Sequence, residues 1–205
     1  VSDICLGTMT FGYGAGWSHM GALDQKAGQD IVKTAFDRGV NFYDTADVYG
    51  NGRSETILGQ SIKALGLHRD ELVIATKCGQ RIGGWGDEEG LNEQELAEAR
   101  RRRGMRNLNG ASRKRVLDAI DGSLQRLQMD HVDLYQIHSF DPLTPFEETL
   151  DALNDVVRAG KARYIGVSNF AAWQVAKCLG ISERRNFPRF ESIQLFYSIG
   201  GRDME

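Results

Sequence analysis

The sequence predicts an α/β fold organised around a parallel sheet. Three observations point to it. Short apolar strand segments alternate with amphipathic helical stretches. Most strand starts recur at about 30 residues, the size of a βαβ unit. The strands also tend to end in polar residues. Strand, helix, strand in regular succession implies parallel pairing through right-handed crossovers. Alternation alone fits both an open doubly wound sheet and a (β/α)8 barrel.

The elements follow in order. The first strand core is Cys5-Leu6. Ala27, Ile31, Val32, Ala35 and Phe36 then form one helical stripe, closed by Gly39. Val40-Asn41-Phe42-Tyr43 is the second strand, followed by a helix carrying Ile57, Leu58, Ile62 and Leu65, opened by Ser54 and closed by Gly66. The third strand, Leu72-Val73-Ile74-Ala75, is followed by a Gly-rich, charged stretch from Cys78 to Ala111 that contains Gly83-Gly84-Trp85-Gly86 and Arg100-Arg101-Arg102-Arg103. Long connections of this kind are more often functional than core, so 78–111 is expected to be a loop insertion. Ser112 opens a helix bearing Val116, Leu117, Ile120, Leu124 and Leu127, which leads into the fourth strand, Val132–Ile137. Thr144-Pro145-Phe146-Glu147 has the pattern of a capping box with proline at the first helical position, and that helix ends at Gly160. The fifth strand is Tyr164–Val167. A shorter helix spans about Ala171 to Leu179 with Gly180 after it, and Ile193-Gln194-Leu195 is the sixth strand.

This makes about six strand–helix units. Two more, about 60 residues, would be needed to reach a typical barrel near 250. A six-unit barrel piece would leave two parallel edges unpaired. The expectation is one domain over residues 1–205, incomplete at its C-terminal end, with a segment possible upstream because the chain starts at Val1 without methionine.

Composition narrows the function. The 205 residues are 41% hydrophobic and 26% charged, which excludes collagen-like, low-complexity and disulfide-scaffold classes. No apolar run approaches the roughly 20 residues that span a bilayer. A net charge of -3 argues against general binding of nucleic-acid phosphate. Cys5, Cys78 and Cys178 are an odd, widely spaced set without ligand spacing. They suit reduced thiols, and with no basic-then-apolar leader the expected location is the cytoplasm.

The sharper signal is positional. Asp44 follows the second strand, Lys77 the third, His138 the fourth, and Ser168-Asn169 the fifth; Gln194 lies in the sixth. In a parallel barrel these C-terminal ends form one rim. Any one of them alone is an ordinary cap or turn former; together they define a site. The short loop Thr45-Ala46-Asp47-Val48 can return Tyr49 over that rim. An ammonium at Lys77 would lower the phenol's pKa, Asp44 would hold Lys77, and His138 would hydrogen-bond a carbonyl. The result is a general acid for an oxygen that gains negative charge. The plainer alternative is a structural Asp44–Lys77 pair with Tyr49 as a loop anchor.

At these residues the chain resembles the aldo-keto reductase superfamily. The likeness runs through Gly7-Thr8-Met9-Thr10-Phe11-Gly12, Asp44-Thr45-Ala46-Asp47-Val48-Tyr49-Gly50 and Ile74-Ala75-Thr76-Lys77. It continues through Asp133–His138 with Asp141-Pro142, Tyr164–Phe170 and Gln194. It looks closest to the bacterial and fungal oxidoreductase-like branches that include potassium-channel β-subunit relatives. The resemblance implies a (β/α)8 barrel and NADPH-dependent reduction of an aldehyde or ketone, with NADH not excluded and no metal. It implies Tyr49 as general acid tuned by Lys77 and Asp44, and His138 as the group that orients the carbonyl. Ser168, Asn169 and Gln194 are implied to bind the nicotinamide carboxamide. Gly7, Thr8 and Met9 would lie against the cofactor, and Asp44 would also reach its ribose. Members of the family usually continue through two more strands that grip the adenosine end, so a polypeptide ending at Glu205 is expected to be weakly active or inactive. The alternative implied by the same family is a regulatory, cofactor-sensing subunit.

Other features carry less. Gly12, Gly14 and Gly16 do not fit the dinucleotide spacing. The Arg100–Arg103 run reads as a solvated loop face, and Trp17 and Trp85 as pocket walls or local packing. Trp173 and Tyr197 read as packing residues, and Cys78 as inert if buried. His19, His68 and His131 lack ligand spacing. A metal hydrolase built on His138 and Asp141 would lack a suitably spaced second histidine.

Overall fold

The computed structural model describes residues 1–12, 23–80, 92–103 and 106–202. Six strands, β1 (Cys5–Gly7), β2 (Phe42–Asp44), β3 (Val73–Cys78), β4 (Val132–Ile137), β5 (Ala162–Ser168) and β6 (Phe190–Gln194), pair in parallel in chain order. Helices α1 (Gln25–Asp37), α2 (Arg53–Ala64), α4 (Arg113–Leu127), α5 (Phe146–Arg158) and α6 (Ala172–Arg185) form the crossovers; α3 (Glu93–Arg103) is an extra helix between β3 and α4. This is a partial (β/α)8 barrel, not a doubly wound sheet, because each strand pairs with its sequence neighbours alone.

The strand period of two sorts side chains onto two faces. Tyr43, Ile74, Tyr135, Ile137, Ile165 and Val167 are fully buried against the helical layer. The Tyr135 hydroxyl donates to the Val116 carbonyl in α4 at 3.1 Å. On the other face, register aligns Lys77 with Gln136, Gln136 with Gly166 and Ser168 with Gln194. Helices pack in order round the outside, α1 on α2, α2 on α4, α4 on α5 and α5 on α6. At Gly59 in α2 a Cβ would come within 2.3 Å of the Leu127 carbonyl of α4, so only glycine permits that approach.

Several local expectations are corrected. The N-cap of α2 is Gly52, with φ 92°, and Ser54 lies inside the helix, where its hydroxyl is spent on Thr8 and Thr45. Ser112 does cap α4, accepting from the Arg115 amide. Thr144-Pro145-Phe146-Glu147 is no capping box: Pro145 is the N-cap and Thr144 donates instead to Asp141 at 2.5 Å. Gly180 does not stop α6, which runs on to Arg185 and closes on Asn186 in the left-handed region. Arg100–Arg103 end a helix rather than lying on a loop. The ring of Tyr197 is half exposed with the Arg202 guanidinium over it, and Trp173, 61% exposed, edges onto Phe140 and Phe146. Gly14, Gly16, Trp17, His19, Gly83-Gly84-Trp85-Gly86 and Glu205 fall outside the described residues.

Candidate active site

The polar strand ends do meet. Past Asp44 the chain keeps pairing with β3, the Thr45 amide donating to Ala75 and the Asp47 amide to Lys77, at 2.9 and 3.1 Å. A turn then closes with the Tyr49 amide on the Ala46 carbonyl, and brings the phenol back over β3. The Lys77 ammonium, almost wholly buried, donates to Asp44 Oδ2 at 2.5 Å and to the Thr45 carbonyl at 3.0 Å. It reaches the Tyr49 hydroxyl at 3.4 Å and lies 5.0 Å from its ring centre. Asp44 is held in turn by Gln136 at 3.5 Å and Gln194 at 3.3 Å. The Thr8 amide ties β1 to the Asp44 carbonyl.

His138 meets the Tyr49 ring edge-on, centroids 5.5 Å apart. Its amide donates to the Cys78 carbonyl at 2.7 Å, so β4 continues its pairing to the site. Burial, reinforced by the Lys77 charge, pushes the imidazole down to about 3, so it is neutral at neutral pH. Its Nδ1 is buried without a hydrogen-bond partner among the described residues.

One electrostatic expectation is reversed. Lys77 does pull the Tyr49 pKa down, but burial is the larger influence and Asp44 adds to it, so the phenol stands above its ordinary value of 10.0. A phenol shielded from water loses more by ionising than one ammonium returns. It is therefore a protonated group with a cation beside it, not a phenolate.

Ser168, Asn169 and Gln194 gather at the ends of β5 and β6. Ser168 is buried; Asn169 and Gln194 are exposed. The Asn169 amide donates to the Gln194 carbonyl at 3.1 Å, and its side chain donates to the His138 carbonyl at 2.9 Å and Ser168 at 3.0 Å. Two exposed carboxamides and a hydroxyl, tied to the His138 carbonyl, are a donor–acceptor set that fits a carboxamide-bearing ligand. Gly7 is exposed and Met9 half-buried, open to a ligand over β1. Thr8 differs: it is fully buried, with its hydroxyl in contact with the Asp44 carbonyl and Ser54. It therefore supports the strand end from beneath.

Sequence reasoning missed three groups. The Thr45 carbonyl is a backbone acceptor that no side-chain pattern shows. Gln136 lay in inward phase two residues before His138, a signal that was available. The third is a buried pair, Asp47 with Arg115 of α4, 68 residues apart in sequence. Asp141 belongs elsewhere: its oxygens accept from the Ala111 and Leu143 amides and from Thr144. Burial opposes ionisation there, but these donors hold the carboxyl below its ordinary value. Cys78 is buried and its thiol is pushed up to about 12. His131 is paired with Asp130. Among the described residues no group of three or more His, Cys, Asp or Glu side chains is placed to hold a metal, and no helix is long and apolar enough to cross a membrane.

Comparison with known proteins shows the family. Residues 3–205 match the model of the aldo/keto reductase family. The chain is 37% identical over 210 residues to versiconal hemiacetal acetate reductase of Aspergillus parasiticus, an alignment covering 100% of this chain and 58% of that protein. It is 35% identical over 209 residues to the uncharacterized oxidoreductase YrpG of Bacillus subtilis, covering 100% and 57%. With a probable voltage-gated potassium channel subunit beta of Arabidopsis thaliana it shares 38% identity over 184 residues, covering 89% and 49%. The chain spans about half the length of these curated relatives.

Proposed function

The chain belongs to the aldo/keto reductase family, and from that premise we propose that it reduces an aldehyde or ketone to an alcohol with NADPH, in the cytoplasm, on a small carbonyl substrate. The carrying observation is the Lys77 ammonium set between the Asp44 carboxylate and the Tyr49 hydroxyl. When bound, the reduced nicotinamide supplies a hydride for the carbonyl carbon. Ser168, Asn169 and Gln194 would take its carboxamide, with Gly7 and Met9 beside it and Thr8 beneath; Asp44 would reach the ribose.

The protein's own groups then manage the oxygen. Neutral His138 donates a hydrogen bond that orients the carbonyl. Tyr49 gives its proton to the oxygen as negative charge develops, and the phenolate left behind is stabilised by Lys77 until solvent restores the proton. The high phenol pKa keeps that proton in place until the oxygen needs it. The chemistry requires no metal, and chelators are expected to leave turnover unchanged. Kinship to a channel β-subunit supports a second reading, a cofactor-sensing regulatory subunit; a phenol that touches both the ammonium and the imidazole, with the carboxylate on the ammonium, favours the enzyme. NADPH oxidation by the full-length protein in the presence of an aromatic or aliphatic aldehyde tests the proposal. Tyr49→Phe is expected to lower turnover roughly 10²- to 10⁴-fold, the usual worth of a positioned acid, while NADPH still binds. Unchanged turnover would remove the mechanism.

A further inference from the structure

Behind the β2–β3 exit, on the side away from Lys77, lies a second buried charge pair that the chemistry above does not use. Asp47 is fully buried and Arg115 is 2% exposed. One Arg115 nitrogen, Nη2, meets both Asp47 Oδ2 and, at 3.4 Å, the Gln80 carbonyl. Asp47 stands two residues before Tyr49, and Gln80 three residues after Lys77. A single guanidinium from α4 therefore grips the loop that carries the phenol and the loop that leaves the ammonium.

The backbone reinforces the grip. The Asp47 amide donates to the Lys77 carbonyl, and Gly110, two residues before the α4 cap, donates to Gly79 at 2.8 Å. We propose that Asp47 and Arg115 are positioning residues whose shared ion pair sets the separation of Tyr49 from Lys77. This rests on the reading of those two residues as acid and cationic neighbour. A structural pair in a solvent-poor core would normally satisfy every polar atom. Here Asp47 Oδ1 and Arg115 Nε have no hydrogen-bond partner among the described residues. The pair is costly to keep, and its geometric product is the register of two catalytic loops.

Burial raises the Asp47 carboxyl to about 6 against the opposing pull of Arg115, with Glu55 of α2 raising it and Arg126 of α4 lowering it; Cys78 of β3 and Tyr135 of β4 also face the pair. Acidification through that value is expected to neutralise Asp47 and weaken the grip.

The test compares wild type, Asp47→Asn and the double variant Asp47→Leu/Arg115→Met. The double variant removes both charges together, which buried pairs commonly tolerate. Amide hydrogen exchange is read for the 44–51 segment alongside kcat, KM and the NADPH dissociation constant. Exchange in 44–51 is expected to quicken about 10-fold in both variants while β4 and β5 keep their protection. The kcat should fall about 10- to 100-fold, as for a displaced catalytic group. NADPH affinity should hold within about threefold, and the wild-type inflection in kcat near pH 6 should vanish. Unchanged exchange in 44–51, or quickened exchange with kcat unaltered, overturns the proposal. A wild-type protein without turnover defeats the reductase reading alone, and exchange still decides the clamp.

Discussion

Two carboxylates three residues apart, Asp44 and Asp47, each hold a buried cation, and they do so on opposite sides of the same strand exit. Asp44 faces the barrel interior, where Lys77 is shared with the Thr45 carbonyl and the Tyr49 hydroxyl, and where Gln136 and Gln194 complete the carboxylate. Asp47 faces the helices and keeps one oxygen unpartnered among the described residues. The inner pair touches the Tyr49 hydroxyl beside exposed carboxamides. The outer pair holds the Gln80 carbonyl, with Cys78 of β3 and Tyr135 of β4 facing it. On the function proposed above, the difference separates doing chemistry from holding its parts.

The comparison breaks first at Lys77. Lys77→Met leaves the Asp44 carboxylate buried without its cation, which typically costs about 3–5 kcal/mol of stability. The phenolate left by proton transfer also loses its support, so turnover should fall at least 100-fold, on the scale of acid–base catalysis. Chemical denaturation and NADPH oxidation read the two effects; full activity would show that the ammonium does not serve the acid.

A smaller break is available beneath the inner pair. A Cβ at Gly166 would stand 2.8 Å from the Ser192 carbonyl and 3.2 Å from the Gln136 side chain that braces Asp44. Gly166→Ala should cost about 1–3 kcal/mol by overpacking and loosen Gln136 from the carboxylate. A thermal midpoint equal to wild type would show that β6 and Gln136 yield freely.

The smallest effects are in pH. His138 has its pKa depressed from 6.5 to about 3, so its contribution to stability is present above 6.5 and lost as pH falls. Asp47 is the reverse: raised from 3.8 to about 6, its contribution is present below 3.8 and lost as pH rises through 6. Between pH 7 and 5 each is worth about 1–2 kcal/mol, with opposite sign. Wild type should therefore change little over that range on their account. Asp47→Asn should lose stability on acidification and His138→Gln should gain it. Urea titrations at both pH values check this; parallel shifts in the two variants would refute the opposing signs.

Much of this was legible in the sequence. The strand–helix alternation gave parallel order, and Asp44, Lys77 and His138 announced themselves by following apolar runs. Tyr49 was placed by the shortness of its loop. What escaped depended on three-dimensional competition. The Thr144 hydroxyl was drawn to Asp141 rather than to a helix amide. Gly180 is carried through α6 because the helix buries Cys178 and Ile181 on either side of it. The direction of the Tyr49 shift needed the depth of its burial, which no spacing encodes. Arg115 stands in a run of three basic residues at the start of α4, and only the fold brings it against Asp47.

Tyr49 holds its proton against Lys77, its phenol standing above the ordinary value. Tyrosine labelled with carbon-13 at Cζ, with the Tyr49 resonance identified by its loss in Tyr49→Phe, reports that proton directly by NMR. The midpoint should lie above 10.0, the phenol remaining protonated throughout the neutral range. A midpoint well below 10.0, with phenolate present at neutral pH, would contradict the account.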